Sequence, residues 1–315
     1  MQLIDFIKIL VKDPPPAIFE ANPLLLFEQR NVSNEGVLFP ILDKNRIQKK
    51  DTQGNLLYGT PYKIAFFQGL KFTIYESGRI TMEGSLHKYW NNGAHNYNDF
   101  DRQAILDVLQ DLKIKFGVVP AQCILKRLEI GVNITPPIPT NEILDKCLLH
   151  KNKPFEDKIN SDEGRYKQAQ HCQYMLKTYN KAQHYISKGF EISGEIMRIE
   201  INFIKMEKLK RKKIFSLEDL MNYGLHNFKE DLVNEWKNVL FFDNTIQIDP
   251  LSEKLEIKLL KYSNAKYWLQ LLSNNQMKNF IYHKNQLRKI TADHSENIQN
   301  KIIKIIEKKI NILNT

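Results

Sequence analysis

The chain has 315 residues, of which 42% are hydrophobic and 26% are charged. A chain of this length and composition can bury one large core or two of ordinary size, which excludes a protein that is disordered throughout. Lysine and arginine number 46 against 36 aspartate and glutamate, a formal net charge of +10. This excess favours a polyanionic partner, of which nucleic acid is the commonest.

The cysteines and the N-terminal residues bear on the cellular compartment. Cys123, Cys147 and Cys172 are scattered and form no C-x-x-C pair, which argues against a structural zinc site and for a reducing compartment. The N-terminus lacks the cationic start and long apolar stretch of a signal peptide, and no run is long enough to span a bilayer. We therefore expect a soluble, cytoplasmic protein with no membrane partner.

The first part of the chain is predicted to start with an extension and to continue with strands. Residues 1–60 are rich in proline and polar turn residues, and we interpret them as an N-terminal extension. Beyond them, alternating apolar residues predict strands, and capping residues followed by apolar residues at helical spacing predict helices. The predicted strands are 62–67, 70–75, 79–84, 124–134, 173–181 and 196–204, and the predicted helices are 98–115 and 139–149.

The last third of the chain is predicted to be mostly helical. A dense block of positive charge over residues 205–213 precedes it. The amphipathic segments are 217–239, 251–273 and 295–313. No internal repeat is evident. We predict an α+β domain over residues 1–213 and a smaller helical C-terminal domain over residues 214–315.

Three of the predicted strands carry the same kinds of polar group on one side. Side chains alternate across a strand, so the apolar residues of each segment face a core and the polar ones face the other way. The outward residues are Arg127, Glu129, Gly131 and Asn133, then Lys177, Tyr179 and Lys181, then Arg198, Glu200 and Asn202. If the strands share a sheet, two carboxylates, a tyrosine and several cations converge, which suits metal-assisted attack on a phosphodiester.

Tyr179 is the candidate nucleophile on this polar side. A tyrosine oxygen can attack phosphorus once its proton is removed, and the resulting tyrosyl ester conserves the energy needed to rejoin a strand. Lys181 could lower the pKa of the phenol or hold a phosphate oxygen. Glu129 and Glu200 are the best candidate ligands for Mg²⁺ or Mn²⁺, with Glu83 a weaker third.

The cations on the same side have two interpretations. Arg127, Lys177 and Arg198 are candidate contacts to a nucleic-acid backbone. Cross-strand ion pairs with the glutamates would explain arginines here without any function, and the tyrosines could equally be packing residues.

Four segments, taken in order, resemble a known family. They are Gly84-Ser85-Leu86-His87-Lys88-Tyr89-Trp90-Asn91-Asn92-Gly93-Ala94-His95-Asn96, Lys126-Arg127-Leu128-Glu129, Tyr179-Asn180-Lys181 and Met197-Arg198-Ile199-Glu200. Together they are similar to segments of the rolling-circle replication initiators of filamentous phages, related single-stranded DNA phages and plasmids. The resemblance covers residues 61–208. It departs from the family in two ways: Glu129 stands where aspartate is common, and the His-hydrophobic-His metal motif of many rolling-circle enzymes is absent.

The resemblance implies a fold and a set of roles. The fold is a central antiparallel sheet flanked by helices. Tyr179 would be the residue that becomes linked to DNA, and Glu129 and Glu200 would hold the metal. The first segment adds candidate contacts to nucleic acid, namely Lys88, His95 and Asn96.

The predicted function is nicking and joining of one DNA strand at a phage or plasmid origin in the cytoplasm of a bacterial host, through a covalent 5′-phosphotyrosine. The implied partner is single-stranded origin DNA, while a host helicase, a host polymerase and a homodimer are left open. A non-enzymatic origin-binding protein and a tyrosine transposase or relaxase are the alternatives. Tyr174 and Tyr185 are candidates for a second nucleophile that closes the displaced circle, and a water molecule or a second subunit would also serve.

Overall fold

The computed structural model describes residues 3–33, 35–160, 164–249 and 251–312. The strands are β1 (Ile4–Val11), β2 (Glu28–Arg30), β3 (Tyr62–Phe67), β4 (Leu70–Tyr75), β5 (Ile80–Ser85), β6 (Cys123–Ile134), β7 (Cys147–His150), β8 (Lys153–Pro154), β9 (Glu156–Asn160), β10 (Gly164–Gln170), β11 (Tyr174–Asn180), β12 (Met197–Phe203) and β13 (Val239–Phe241). The helices are α1 (Pro16–Glu20), α2 (Leu86–Trp90), α3 (Arg102–Phe116), α4 (Thr140–Lys146), α5 (Lys181–Ile186), α6 (Glu207–Arg211), α7 (Leu217–Tyr223), α8 (Lys229–Lys237), α9 (Glu253–Tyr262), α10 (Ala265–Ser273), α11 (Met277–His294) and α12 (Ile298–Ile312).

A large antiparallel sheet organises the fold. Within the described ranges, ten strands join in the order β2-β3-β4-β5-β1-β6-β12-β11-β10-β9, and β13, β7 and β8 form a separate small sheet. Helices pack on the large sheet, and the C-terminal part of the chain is helical. The predicted α+β class with a central antiparallel sheet is confirmed.

The central position of β1 differs from the sequence prediction. β1 pairs with β5 on one side and with β6 on the other. Residues 4–11 therefore belong to the middle of the sheet rather than to an N-terminal extension. A register irregularity between Ile4 and Ile7 interrupts the alternation of buried residues. A search for strictly alternating apolar and polar residues therefore does not detect this strand.

The apolar face of the sheet carries the main hydrophobic core. Phe116 of α3 packs on Phe72 of β4, with ring centroids 4.9 Å apart, and Phe228, just before α8, packs on Phe203 of β12. Ile302 of α12 is buried in the same core. The predicted domain division at residue 213 stays a prediction, although side chains from both sides of it share this core.

A second, smaller core lies in the C-terminal helices. It is built around Tyr262, Trp268, Phe280, Leu287 and Ile290. The last three belong to α11, which the sequence did not predict because only these three of its 18 residues are buried. Among the helices of the described residues, none has the length and apolar character needed to cross a membrane.

The described residues 31–33 and 35–60 form an arm that contains three equivalent turns. Ser33, Asp43 and Asp51 each accept hydrogen bonds from the amides two and four residues further on. The sequence does not show this repeat, because the turns share hydrogen bonds from backbone amides to a side chain and not a regular spacing of apolar residues. Apolar side chains along the arm, such as Phe39 and Ile47, are exposed.

Candidate functional site

The sheet brings the three predicted polar segments side by side. β6, β12 and β11 are consecutive neighbours, and residues directly opposite each other share a face. Glu200 lies opposite Lys177 on one side and Gly131 on the other, while Asn202 lies opposite Glu129. We call this side, which carries Arg127, Glu129, Tyr179, Arg198 and Glu200, the polar face.

Arg198 occupies the centre of the polar face and is completely buried. Its Nε donates to Glu200 Oε2 at 2.7 Å and its Nη1 donates to Asn133 Oδ1 at 3.0 Å. Its Nη2 lies 3.3 Å from Asp5 Oδ2. A buried guanidinium requires such partners, because an unpaired buried charge is strongly destabilising.

Gly131 makes room for this guanidinium. A Cβ atom on Gly131 would lie 2.8 Å from Arg198 Nη2, from Glu200 Cβ and from the Ile199 carbonyl oxygen. Two of these three atoms cannot move without moving the β12 backbone. The absence of a side chain at this position therefore sets how closely Arg198 and Glu200 approach β6.

Gly131→Ala is expected to lower the free energy of unfolding by about 1–3 kcal/mol, the usual cost of overpacking a well-filled interior. The reason is the contact with the β12 backbone and with Glu200 Cβ. Urea unfolding of the variant and the wild type measures the change. An unchanged midpoint would mean that β12 has room to move away from β6.

Glu129 is a half-buried acid close to two other carboxylates, those of Glu200 and Asp5. Its Oε1 accepts from Arg127 Nη2 and from Asn202 Nδ2, both at 2.7 Å. Burial, followed by the negative charges of Glu200 and Asp5, raises the pKa of Glu129 to about 7, against the opposing effect of Arg127. The carboxyl group therefore holds a proton close to neutral pH.

Glu129→Gln is expected to stabilise the protein at pH 8 and to leave its stability nearly unchanged at pH 5. The folded-state pKa of Glu129 lies above the value of about 4.5 in the unfolded chain, so wild-type stability falls as pH rises from about 4.5 to about 7. Glutamine removes that cost, which is about 1–3 kcal/mol. Urea titrations at both pH values test it, and destabilisation at pH 8 would contradict the assignment.

Tyr179 lies on β11 directly opposite Arg198. The ammonium group of Lys177 stands 4.7 Å from the Tyr179 ring centroid and 3.7 Å from Glu200 Oε1. Burial, and then the charge of Glu200, raises the pKa of the Tyr179 phenol well above its ordinary value, while Arg198 opposes the shift. Without added positive charge, the phenol keeps its proton.

Lys181 lies differently from the sequence prediction, which put it on the strand with Tyr179. β11 ends at Asn180, whose side chain caps the next helix by accepting from the Gln183 amide at 2.9 Å. Lys181 is the first residue of α5 and is completely buried. Burial and the neighbouring Arg198 charge lower its pKa well below the ordinary value, while Asp5 raises it.

Glu83 is not brought to the other two glutamates. It forms ion pairs with Lys8, at 2.7 Å, and with Lys71. β1 stands between β5 and β6, so Glu83 lies two strand spacings, about 10 Å, from the strand of Glu129. Its predicted role as a third metal ligand has no support in this arrangement.

Residues 85–97, which precede α3, contact one end of the polar face through Asp5 and Asn133. The Ser85 hydroxyl caps α2 by accepting from the Lys88 amide at 3.1 Å. His95 stacks on Tyr97, with ring centroids 4.1 Å apart. Asn96 is buried, so its side chain serves the interior of the site rather than an exposed nucleic-acid surface.

Asp5 of β1 is a site residue that sequence reasoning missed. Its carboxylate accepts from Ser85 Oγ at 2.7 Å and from Asn96 Nδ2 at 2.7 and 2.9 Å. Burial alone would raise the pKa of Asp5, but Arg198, Lys181 and these hydrogen bonds hold it well below its ordinary value. The one available signal was a single acid inside an apolar strand, Ile4-Asp5-Phe6-Ile7.

The two candidates for a second nucleophile lie on opposite sides of the sheet. Tyr185 is buried near the polar face, and its hydroxyl donates to Asn96 Oδ1 at 2.5 Å. Tyr174 is on β11 but points to the opposite face from Tyr179, where its hydroxyl donates to Glu235 at 2.8 Å. Tyr174 therefore cannot share a phosphate with Tyr179 in this arrangement.

Glu129 and Glu200 could hold a magnesium or manganese ion only together with other ligands. Within the described ranges, no group of three or more histidine, cysteine, aspartate or glutamate side chains is placed to hold a metal ion. Mg²⁺ is commonly bound by one or two carboxylates with waters and substrate phosphate oxygens, so the donor set fits that kind of site. The neighbouring negative charges that raise the pKa of Glu129 are the repulsion that a cation would relieve.

Comparisons with known proteins find similarity to solved structures but not to family models or curated sequences. No family model matches the chain, and no curated protein matches it. A solved structure of a rolling circle replication initiator protein from Geobacillus stearothermophilus is similar, with 13% identity, a TM-score of 0.38 and coverage of 86% of this chain and 94% of that one. A score this low does not establish a common fold, so the family assignment stays a prediction from the sequence motifs.

Proposed function

We propose that this protein nicks and rejoins one DNA strand at a phage or plasmid origin to start rolling-circle replication, with Tyr179 as the nucleophile. The observation that supports the proposal best is the sharing of one sheet face by the Tyr179 phenol, the Glu129 and Glu200 carboxylates and the buried Arg198. The ordered motif resemblance supports it independently. Neither support depends on the net charge of the whole chain.

The reaction is a transesterification. The phenol oxygen of Tyr179 attacks the phosphorus, the bond between phosphorus and the 3′ oxygen breaks, and the strand's 5′ phosphate becomes joined to the tyrosine. The proton lost by the phenol is balanced by the proton gained on the leaving 3′ oxygen. One phosphodiester replaces another, so the free 3′ hydroxyl can serve as a primer and the strand can later be rejoined without ATP.

The attack of Tyr179 on a phosphate requires positive charge nearby, because negative charge develops on the phosphate oxygens. Lys177, above the Tyr179 ring and partly exposed, can contact phosphate oxygens on which negative charge develops. Arg198, opposite Tyr179 in the strand register, is buried and acts on the same oxygens only through its electric field. Lys181, the first residue of α5, lies just beyond the same strand, and because its pKa lies well below the ordinary value it is a weaker source of positive charge. A divalent ion held by Glu129 and Glu200, when bound, would polarise the scissile phosphate.

The remaining cations of the polar face give a path for the DNA backbone. Lys71, Lys8 and Arg127 lie on neighbouring strands or one strand apart, and all three side chains are partly exposed. Arg127 also stands 4.9 Å from the ring centroid of Phe6. We propose that these side chains contact phosphates of single-stranded origin DNA, with host helicase, host polymerase and a second copy of the chain as further partners in the bacterial cytoplasm.

Trapping the covalent intermediate tests the proposal. The protein is incubated with Mn²⁺ and single-stranded oligonucleotides that tile a candidate origin, and adducts stable to denaturant are digested and identified by mass spectrometry. The expected DNA-linked peptide contains Tyr179. A linkage to another tyrosine would reassign the nucleophile, and cleavage without any linkage would contradict the mechanism.

A non-enzymatic origin-binding protein is the second candidate function. The observation that favours it is that Arg127 and Arg198 already bind the two glutamates, while the Tyr179 phenol keeps its proton. This function predicts DNA binding that weakens steeply with salt and gives no adduct under any metal condition. The oligonucleotide experiment separates the two functions.

A further inference from the structure

We propose that Asp5 is a positioning residue that holds the Arg198 guanidinium opposite Tyr179; this inference rests on the proposed function. Asp5 would not touch the DNA. It would act through Arg198, whose Nη2 lies 3.3 Å from Asp5 Oδ2. Asp5 thus supplies a second carboxylate for Arg198, paired with Nη2, beside Glu200, which is bonded to Nε.

The contacts of Asp5 join separate elements of the fold. Its carboxylate, on β1, binds Ser85 at the start of α2 and Asn96 in the following loop. Asn96 in turn accepts from the hydroxyl of Tyr185 on α5. Arg198 on β12 completes the set, so one carboxylate contacts three neighbouring parts of the site directly and reaches α5 through Asn96.

The chemistry of this carboxylate argues for a role beyond folding. A buried ion pair is often replaceable by apolar side chains without loss of stability, so burial of Asp5 with Arg198 is weak evidence for a purely structural role. A negative charge near the binding site of a polyanion also weakens binding. Its place here is best explained by the fixed orientation that it gives to Arg198.

Asp5→Asn tests the proposal with two readouts. In a single-turnover assay, the rate of adduct formation at saturating oligonucleotide is expected to fall about 10- to 100-fold, because a displaced Arg198 guanidinium stabilises the charge on the reacting phosphate less well. The oligonucleotide Kd is expected to stay the same or to fall, since a negative charge is lost. The Arg198 Nε–H signal in NMR spectra, assigned with an Arg198→Lys sample, is expected to shift and to exchange faster with water.

Asp243→Asn is the matched control. Asp243 is also a buried acid, but it binds Thr245 and the Ile298 amide in the C-terminal helical part. Its loss should lower the melting temperature without changing the rate of adduct formation per folded molecule. If Asp5→Asn fails to fold, Ser85→Ala, which removes one bond to Asp5 and no charge, should give a smaller loss of rate in the same direction.

Each outcome decides the proposal. An unchanged rate, a Kd that rises in proportion to the loss of rate, or an unchanged Arg198 signal would overturn it. If the wild type forms no adduct at all, the proposed function fails, but the NMR readout still decides the positioning: a changed Arg198 signal in Asp5→Asn supports it and an unchanged one refutes it.

Discussion

Tyr179→Phe is expected to abolish the covalent protein–DNA adduct while leaving folding and DNA binding almost unchanged. The substitution removes one oxygen, and without it no phosphotyrosine can form. The ring stays in place, because its packing under Lys177 depends on the aromatic face and not on the hydroxyl. Denaturing gels with labelled oligonucleotide measure the adduct, and fluorescence anisotropy measures binding.

Tyr166→Phe is the matched control for this experiment. Tyr166 lies directly opposite Tyr179 on β10, and the Lys177 ammonium stands 4.8 Å from its ring centroid. The two phenols thus share a sheet face and a cation but differ in their distance from β12. An adduct that survives Tyr179→Phe and is lost in Tyr166→Phe would place the nucleophile on β10.

The central strands could be predicted because the alternation of apolar and polar residues is visible within each strand's own sequence. Along β12, and in β6 from Leu128 to Ile134, every second residue is apolar and lies in the hydrophobic core, so alternation alone fixes the side on which the polar residues lie. Prediction of residues 124–134 and 196–204 therefore agrees with the structure to within one residue at each end. Because these strands are neighbours in the sheet, their polar residues share one face.

The features that could not be predicted depend on strand order or on irregular backbone. The sequence does not reveal that β1 lies between β5 and β6, and this strand separates Glu83 from Glu129 and delivers Asp5 to the site. Lys181 was misplaced because the capping bond of Asn180 ends the strand one residue early. Strand order is set by tertiary pairing, whereas the Asn180 cap is a local side-chain-to-backbone bond that ends the strand before the alternating pattern does.

Arg198→Met is expected to cost about 3–5 kcal/mol of folding free energy at pH 8, the largest stability effect in the sheet. Methionine fills much of the same volume but leaves Asp5 and Glu200 buried without their shared cation. In the wild type, Arg198 helps to hold the pKa of Asp5 below its ordinary value, so that carboxylate stabilises the fold above about pH 4. In the variant, the pKa of Asp5 rises and its ionisation becomes a cost.

The sign of this change gives the variant a distinctive pH dependence. Protonation relieves an unpaired buried carboxylate, so the stability deficit of Arg198→Met should shrink between pH 8 and pH 5. Arg165→Met is the control, since Arg165 pairs with Asp145 and Asp157 at a more exposed site and should cost about 0–1 kcal/mol with little pH dependence. Urea unfolding of both variants at the two pH values measures the effect. A deficit for Arg198→Met that is small, or that grows toward pH 5, would mean that the polar face does not depend on this buried charge.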